Sequence, residues 1–240
     1  MTVFATILLA AMGSSDAIAV LLNSPSAVSV ERYEQARTIV ERDAAAGKPL
    51  QQFVIGVTSH DEDLAKRYVE ASRDRITYLA EKTGNPLAWY LLSIEKNDIQ
   101  LLRKAADGGN VQALNALGTI VTQEALKNKK SLSTNAVERI LVKSFGYFRA
   151  AALQKDPNGL VNLGTCYLAG LGCEQNMALA FDCFKAAAES GHPESMDNLS
   201  ACYELGHGVK KDSARSLFWR IKARALRGDK SARKWLEGKQ

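Results

Sequence analysis

The sequence contains few of the residues that interrupt helices or that build aromatic-rich β-sandwiches. Its 240 residues include only five prolines, and aromatic residues make up 7% of the chain. A Pro-rich linker protein and an aromatic-rich β-sandwich are therefore disfavoured. With 46% hydrophobic and 24% charged residues, the chain is long enough to bury the core of one large domain or two small ones. A helical globular protein is the first expectation.

The chain also lacks a long hydrophobic run and an early positive charge. No apolar run reaches the roughly 18 residues that a membrane-spanning helix needs, which excludes an integral membrane protein. The first thirty residues contain no Lys or Arg. They include Ala17-Ile18-Ala19, which has the pattern of a signal-peptidase site, but the missing positive charges argue against export. We expect a cytoplasmic protein, and an exported (periplasmic or secreted) protein is the alternative.

The motifs of common catalytic centres are missing. The sequence has no G-x-S-x-G, no G-x-x-x-x-G-K-[ST] and no H-E-x-x-H motif, and no G-x-G-x-x-G opens a helix. The four cysteines are not spaced as C-x-x-C, which excludes zinc-ribbon and haem-attachment sites. We therefore predict no catalytic residue, no cofactor and no metal site, and we expect the thiols to be buried as small hydrophobic groups.

A repeat with a period of 36 residues is the clearest positive feature. The segment Leu163-Gly164-Thr165-Cys166-Tyr167, followed by Gly170-Leu171-Gly172, returns as Leu199-Ser200-Ala201-Cys202-Tyr203, followed by Gly206-His207-Gly208. Two helical patterns fit within each period, which predicts a stack of helical hairpins. In each hairpin we name the first helix A and the second helix B.

Helix signals mark the parts of one unit. Residues 178–190 have apolar side chains at helical spacing and are followed by Gly191, so they predict a B helix. Pro193 suits the first turn of the next A helix. The glycines at 206 and 208 give the backbone the freedom that a tight A-to-B turn requires.

These residues resemble the Sel1-like repeats, which are related to the tetratricopeptide repeats. The specific parts are the G-x-G turn, the Tyr before it and the Ala-Ala-x-x-Gly ending, and Trp219 stands where the family usually has Trp. The resemblance weakens upstream, where residues 104–118 and 81–93 look like further junctions between units. About ten extra residues, at Lys127 to Asn135, are expected to enlarge one A-to-B loop, and a short helix is expected near residues 98–107.

The resemblance implies an all-α protein, a right-handed α-α superhelix (solenoid) of antiparallel helical hairpins. We predict an amino-terminal helical cap over residues 1–61, repeats over residues 62–228 and a capping helix over residues 229–240. Ala232 and Leu236 would occupy the core positions of that last helix. The Lys and Arg of this helix are expected to face water, as a terminal unit requires.

Cysteine pairing and metal binding can be judged from the predicted stack. Cys166 and Cys202 would lie on stacked helices whose axes are about 8 to 10 Å apart, so we predict that they are not joined. A bond between Cys166 and Cys183 across one hairpin stays open. His192 and His207 would lie at opposite ends of a hairpin, on the order of 20 Å apart, and could not share a metal ion. His60 is expected at a helix start.

The resemblance also implies where a partner would bind. In arrays of this kind the A helices line the concave side, and residues at equivalent positions form ladders along a groove. An Asn side chain both donates to and accepts from a peptide backbone, although the same amides would also serve to hold the stack together. The predicted groove residues are Asn162, Thr165, Cys166, Asn198, Ala201 and Cys202.

Basic residues are concentrated at the carboxyl end. Residues 209–240 carry eleven Lys and Arg against three acidic residues, whereas the rest of the chain sums to −3. Such a patch attracts an acidic partner or nucleic acid, or it is a solvated terminal helix pair. The patch consists of Lys210, Lys211, Arg215, Arg220, Lys222, Arg224 and Arg227.

Three functions follow in order of preference. The first is a scaffold or adaptor that binds a protein or peptide in the groove, where the basic patch would favour an acidic partner. The protein itself is expected to be a monomer. The second is a hydrolase, because some cysteine-rich members of the family have been credited with binding or hydrolysing β-lactams; this chain lacks their regular cysteine pair. The third is a nucleic-acid binder that uses the basic patch.

Overall fold

The computed structural model describes residues 17–18, 21–22, 30–59 and 61–238. These residues fall into two compact units, one ending at Asn110 and the other beginning at Val111. All regular secondary structure in the described part is helical. The predicted position of His60 and most of the signal-peptide-like start, including Ala19, lie outside the described residues.

Residues 30–110 of the first unit form five helices whose ends are set by local signals. Asp61 caps α3 by accepting a hydrogen bond from the backbone N–H of Leu64, and Asn85 caps α4 in the same way from Ala88. The helices are α1 (Val30–Ala45), α2 (Pro49–Thr58), α3 (Glu62–Thr83), α4 (Pro86–Lys96) and α5 (Ile99–Asp107). The core of this unit includes the fully buried side chains of Phe53, Ile76 and Leu91.

The second unit contains seven helices that follow the repeat. The A helices are α6, α8, α10 and α12, and the B helices are α7, α9 and α11. Their bounds are α6 (Val111–Lys127), α7 (Thr134–Leu153), α8 (Pro157–Ala169), α9 (Met177–Glu189), α10 (Pro193–Leu205), α11 (Ser213–Leu226) and α12 (Lys230–Glu237).

Helices of the second unit pack in chain order. The A helices α6, α8 and α10 each contact the B helix of their own hairpin, each B helix contacts the next A helix, and α8 also contacts both α6 and α10. The predicted all-α solenoid of helical hairpins is therefore confirmed.

Aromatic contacts repeat with the period of the sequence. Phe145 packs edge-to-face on Tyr167, and 36 residues later Phe181 packs edge-to-face on Tyr203, with ring centroids 5.5 Å apart in both pairs. Edge-to-face pairs of this kind stabilise a core beyond the area that they bury. The repeat in the sequence therefore records a repeated contact between each B helix and the next A helix.

A second repeated contact lies inside each hairpin. Gly164 on α8 faces the ring of Phe184 on α9, and a Cβ at position 164 would lie 2.7 Å from that ring. Gly118 and Phe148 form the same pair one unit earlier. The glycine is needed because it leaves room for the ring between two closely packed helices.

The last hairpin replaces this glycine–phenylalanine pair with polar residues. Ser200 stands at the glycine position, and its hydroxyl donates to the backbone carbonyl of Ser216 at 2.9 Å. Arg220 stands at the phenylalanine position and donates to Glu204 at 3.3 Å. The buried ring of the earlier hairpins is thus exchanged for an exposed charged side chain.

The added length lies in α6 and α7 themselves and not in the loop between them, which consists of residues 128–133. We expected an enlarged loop at Lys127 to Asn135, but α6 continues to Lys127 and α7 begins at Thr134. Ser133 caps α7 by accepting from the backbone N–H of Ala136. Val137 and Leu141 are buried against Ala125 of α6, so the added residues have a small apolar core that favours helix.

The amino-terminal caps of α8 and α10 connect each A helix to the preceding one. Asp156 accepts from the backbone N–H of Gly159 and from the side-chain amide of Asn115 on α6, both at 2.7 Å. His192 lies 36 residues later and caps α10. Its Nε2 is 3.1 Å from Oδ1 of Asn158 on α8. The caps therefore join neighbouring A helices as well as satisfying helix ends.

His192 is held in its neutral form. The ring is only 1% exposed, and burial, with a smaller contribution from the nearby Arg227 guanidinium, lowers its pKa from 6.5 to about 4. Because Nδ1 accepts from the backbone N–H of Ser195 at 3.2 Å, the proton must lie on Nε2, which donates to Asn158.

A pH dependence of stability follows from this lowered pKa. Below about pH 6.5 the unfolded chain gains a proton on His192 that the folded chain rejects, so the free energy of unfolding falls until the pH reaches about 4. Between pH 7 and pH 5 this loss is about 2 kcal/mol. Urea denaturation followed by circular dichroism at both pH values measures it.

The matched variant for this prediction is His192→Asn, which keeps a capping oxygen but does not titrate. We expect its loss of stability between pH 7 and pH 5 to be smaller than that of the parent by about 2 kcal/mol. The Asp156 carboxyl, whose pKa is raised by burial, is present in both proteins and cancels in the comparison. Equal losses of stability in the two proteins would contradict the lowered pKa of His192.

Candidate functional site

Three A helices of the second unit present a common face. Equivalent positions on α6, α8 and α10 are related by 46 residues and then by 36 residues. Side chains on this face are exposed or half-buried. We call it the A-helix face; its members are Ala116, Asn162 and Asn198, then Thr119, Thr165 and Ala201, then Gln123, Ala169 and Leu205.

Sequence reasoning found the members of this face on α8 and α10 but not those on α6. The ten extra residues change the spacing from 36 to 46, and α6 keeps only Leu117-Gly118-Thr119 of the repeated segment, without the Cys-Tyr pair and the G-x-G turn. Thr119 and Gln123 are both exposed. In the structure, Thr119 and Gln123 extend the predicted ladder by one helix.

Asn162 is committed in part to holding the stack. Its Nδ2 donates to Oδ1 of Asn115 on α6 at 3.3 Å, and Asn115 donates in turn to the Asp156 carboxylate. Burial raises the pKa of the Asp156 carboxyl. Of the two roles that the sequence left open for Asn162, the structure therefore supports the structural one.

Asn198 differs from Asn162. Its side chain is half-buried, and within the described residues it makes no hydrogen bond. Thr165 and Ala201 are exposed, and the Thr165 hydroxyl donates to the carbonyl of Val161 at 2.9 Å, which leaves its oxygen facing outward as an acceptor. Asn198 and Thr165 are thus the polar groups that α10 and α8 offer to a ligand.

Cys166 and Cys202 do not belong to this face, so the prediction that they form its floor is wrong. Each is only 2% exposed and packs in a hydrophobic core, Cys166 with Phe148 and Cys202 with Leu199. Thr165 and Cys166 are neighbours on a helix, and their side chains point about 100° apart, so only one of them faces outward.

The cysteines are free thiols with poor nucleophilicity. All four are unpaired, so neither Cys166–Cys202 nor Cys166–Cys183 is bonded. Burial raises the pKa of Cys166 to about 12 and that of Cys183 to about 11. A nucleophilic cysteine needs a lowered pKa, so these thiols give no support to the hydrolase alternative.

The A-helix face is nearly free of charge on α6 and α8. No charged side chain occurs in residues 111–123 or in residues 157–169. On α10 the acidic residues are Glu194, Asp197 and Glu204. A ligand on this face therefore meets amide, hydroxyl and small apolar groups first.

The basic patch is largely neutralised by carboxylates. Arg227 pairs with Asp197 at 2.6 Å and Arg220 with Glu204 at 3.3 Å, both on α10. Exposed ion pairs of this kind add little stability, but they reduce the positive field that an acidic ligand would meet. The other two pairs are Arg224 with Asp229 and Arg215 with Asp212.

Three lysines of the patch have other surroundings. Lys222 lies over the ring of Trp219, with Nζ 5.0 Å from the ring centroid. Lys210 and Lys211 are exposed and form no ion pair within the described part of the chain. The patch thus offers fewer uncommitted cations than its composition indicated, which removes support from the nucleic-acid alternative.

The two histidines of the second unit lie at a helix cap and in a turn. His192 is the buried cap of α10, and His207 is half-buried in the turn between α10 and α11. Within the described residues, no three His, Cys, Asp or Glu side chains are grouped closely enough to hold a metal ion. Nor does any helix of the described part have the length and apolar character needed to cross a bilayer.

These features define a class of protein, an all-α helical-repeat protein with an exposed face on its A helices. Comparison with known proteins identifies the repeat. The Sel1 repeat family matches residues 99–110, 157–192 and 193–226. These parts of the chain are therefore Sel1 repeats. Repeats of this kind generally form scaffolds for interactions between proteins.

Solved structures contain the same repeat. A Sel1 repeat protein from Oxalobacter formigenes is 25% identical, with a TM-score of 0.44, and the alignment covers 53% of this chain and 90% of that one. The protein c5321, a protective antigen of uropathogenic Escherichia coli strains that displays an SLR fold, is 21% identical, with a TM-score of 0.52.

The second comparison supports the fold alone. The alignment with c5321 covers 84% of this chain and 45% of that protein, so this chain spans less than half of its length. No curated protein matches the chain.

Proposed function

We propose that the second unit is a protein-interaction scaffold that binds an extended segment of a partner on its A-helix face. The observation that carries the proposal is the ladder of uncharged polar and small residues on α6, α8 and α10. These side chains stay exposed or half-buried although the hairpins around them are packed.

The chemistry of the face favours a peptide backbone over a charged ligand. Amide and hydroxyl groups donate and accept hydrogen bonds without carrying charge, and a peptide backbone offers one donor and one acceptor at each residue. The small side chains of Ala169 and Ala201 allow a backbone to approach the helices closely. A partner chosen by charge would instead need the arginines that Asp197 and Glu204 already occupy.

Two arginine substitutions on the face test this proposal. Peptides are first selected from a displayed library on the immobilised intact protein, and their affinities are then measured by isothermal titration calorimetry. We expect Thr165→Arg combined with Ala201→Arg to weaken binding by at least about tenfold, because a long charged side chain fills the face and must be desolvated. Both positions are exposed, so the fold is retained.

Ala186→Arg is the matched control, because Ala186 is an exposed alanine on the B helix α9. We expect this variant to bind the selected peptides as the parent does. Binding that is lost with Ala186→Arg and kept with the pair on α8 and α10 would place the ligand on the wrong helices and overturn the proposal.

The two asparagines are predicted to differ. Asn162→Ala removes a hydrogen bond to α6, so we expect it to lower the free energy of unfolding by about 1 kcal/mol. Asn198→Ala removes no such bond, so it should leave the stability within about 0.5 kcal/mol and weaken peptide binding. Urea denaturation and calorimetry on both variants measure this. A loss of stability with Asn198→Ala at unchanged affinity would show that Asn198 only supports the stack.

A further inference from the structure

The end of α6, the start of α7 and the loop between them form a projection whose composition differs from the rest of the stack. Helices α6 and α7 contain 17 and 20 residues, whereas α8 and α9 contain 13 each. We call residues 124–140 the insertion hairpin. Nothing in the packing of the repeats requires it, because the following hairpins make the same contacts without it.

The insertion hairpin extends past the neighbouring turn. Gly172, in the turn between α8 and α9, packs directly against the backbone of Leu141. Residues of α7 that precede Leu141 therefore lie beyond this turn. Seven helical residues, 134–140, extend for about 10 Å at 1.5 Å per residue.

The hairpin is a defined structure at its tip. Ala125 and Val137 of the hairpin pack with Leu141, which follows it on α7. The carbonyl of Asn128 accepts hydrogen bonds from the backbone N–H groups of Ser131 and Leu132, both at 3.0 Å. The tip therefore presents its side chains from an ordered backbone.

Cationic and apolar side chains are combined at this tip. Lys127, Lys129 and Lys130 are exposed, and within the described residues none of them forms an ion pair. No Asp or Glu occurs in residues 125–137. Leu126 is 49% exposed and Leu132 is 37% exposed. The tip, residues 126–132, thus carries three lysines without an ion pair and two exposed leucines, and the two carboxylates of the insertion hairpin lie outside this stretch.

We propose that the insertion hairpin docks on the surface of an anionic lipid bilayer. The lysines would lie at the level of the acidic headgroups, and the two leucines would enter the boundary between headgroups and acyl chains. A projecting tip reaches a flat surface before other parts of the same hairpin do. Charge complementarity and the exposed leucines are the two properties that peripheral attachment requires.

The composition of the tip fits lipid better than protein. Energetically important residues in protein interfaces are mostly Trp, Tyr and Arg, and Lys is depleted there. Residues 125–137 contain none of the first three types. Lysine with leucine is instead the composition of segments that bind anionic membrane surfaces. The attachment is weak and reversible, because three lysines and two leucines fall short of a stable anchor, and salt screens it.

Vesicle flotation with the intact protein tests the proposal. The probes are phosphatidylcholine vesicles and vesicles that also contain about one third phosphatidylglycerol, at low and at high salt. We expect binding to the anionic vesicles at low salt only. Lys127→Glu, Lys129→Glu and Lys130→Glu in one protein should weaken binding by about a hundredfold or more, since each lysine near an anionic surface contributes about a factor of five.

A charge-matched control separates the tip from general positive charge. Lys185→Glu, Lys210→Glu and Lys211→Glu change the net charge equally at exposed positions elsewhere in the second unit. We expect this protein to keep most of its vesicle binding. Loss of binding in the control but not in the tip variant would assign the membrane contact to the basic patch and overturn the proposal.

The leucines provide a second readout. Leu126→Ser with Leu132→Ser should reduce vesicle binding several-fold at unchanged charge, and circular dichroism verifies that helix content is kept. Failure of the parent protein to bind anionic vesicles overturns the proposal. So does a tip variant that loses a protein partner while the parent ignores vesicles, because the occupant would then be a protein.

Discussion

Gly172→Ala is expected to lower the free energy of unfolding of the second unit by about 3 to 5 kcal/mol, and Gly208→Ala by a similar amount. Both glycines have positive φ, +68° and +70°, which costs an alanine about 1 to 2 kcal/mol. A Cβ at position 172 would also collide with the carbonyl oxygen of Leu141, and one at position 208 with that of Met177. Both obstacles are backbone atoms, so relief requires the turn to move away from the preceding B helix.

Gly191→Ala is the control that separates the two causes. Gly191 has a φ of +91°, and a Cβ there would meet nothing within 4 Å. We expect this variant to lose only about 1 to 2 kcal/mol in the free energy of unfolding, which is the cost of the backbone conformation for alanine. Urea denaturation followed by circular dichroism gives all three values. If Gly191→Ala lowers the free energy of unfolding as much as Gly172→Ala does, the close contact between the turn and the helix adds nothing to the loss at position 172.

Phe184→Ala is the second change with a large expected effect, a loss of about 3 to 5 kcal/mol in the free energy of unfolding. The ring is 2% exposed and packs in the core with Met196 and Leu199. Because Gly164 faces it without a side chain, that position on α8 cannot fill the space that the ring leaves. The cavity therefore stays open, and an open cavity lowers the free energy of unfolding more than one that neighbouring side chains fill.

The repeat supplies a control at the equivalent position. Arg220 follows Phe184 by 36 residues but is exposed on α11. We expect Arg220→Ala to change stability by less than about 1 kcal/mol, since it removes only exposed polar contacts with Glu204 and Ser216. Thermal denaturation of both variants measures the contrast. Similar losses in the two would mean that position in the repeat, rather than burial of the ring, determines the effect.

The repeated part of the fold was predictable because its signals are local. Residues 178–190 were predicted as a B helix, and α9 spans Met177–Glu189. Gly191 and Pro193 mark the junction in the sequence itself, and Asp98 caps α5 where a short helix was expected. Caps, glycines and prolines act within a few residues, so they can be recognised without knowledge of the packing.

The insertion hairpin shows where local reasoning was incomplete. A break in the repeat was interpreted as a longer loop, yet Ser133 is a good helix cap and Val137 and Leu141 have helical spacing. These signals were present in the sequence. They lie outside the 36-residue period, so the repeat by itself does not indicate them.

The candidate site was predictable only in part, because its electrostatics depend on distant residues. Arg220 meets a carboxylate 16 residues away, and Arg227 meets Asp197 30 residues away. Such pairs follow from the packing against α10. Composition alone does not show them, so these arginines were predicted to be unpaired positive charges. Burial of Cys166 and Cys202 likewise follows from the direction in which each A helix faces its core.

Site-specific photo-crosslinking tests the central claim, that a partner binds the A-helix face, most directly. Thr165, Ala201 and, as a control, Ala186 are each replaced by p-benzoylphenylalanine in the intact chain, and the protein is irradiated with a selected peptide or a purified partner. We expect covalent products from positions 165 and 201 and none from position 186. Products from position 186 together with none from the other two would contradict the account.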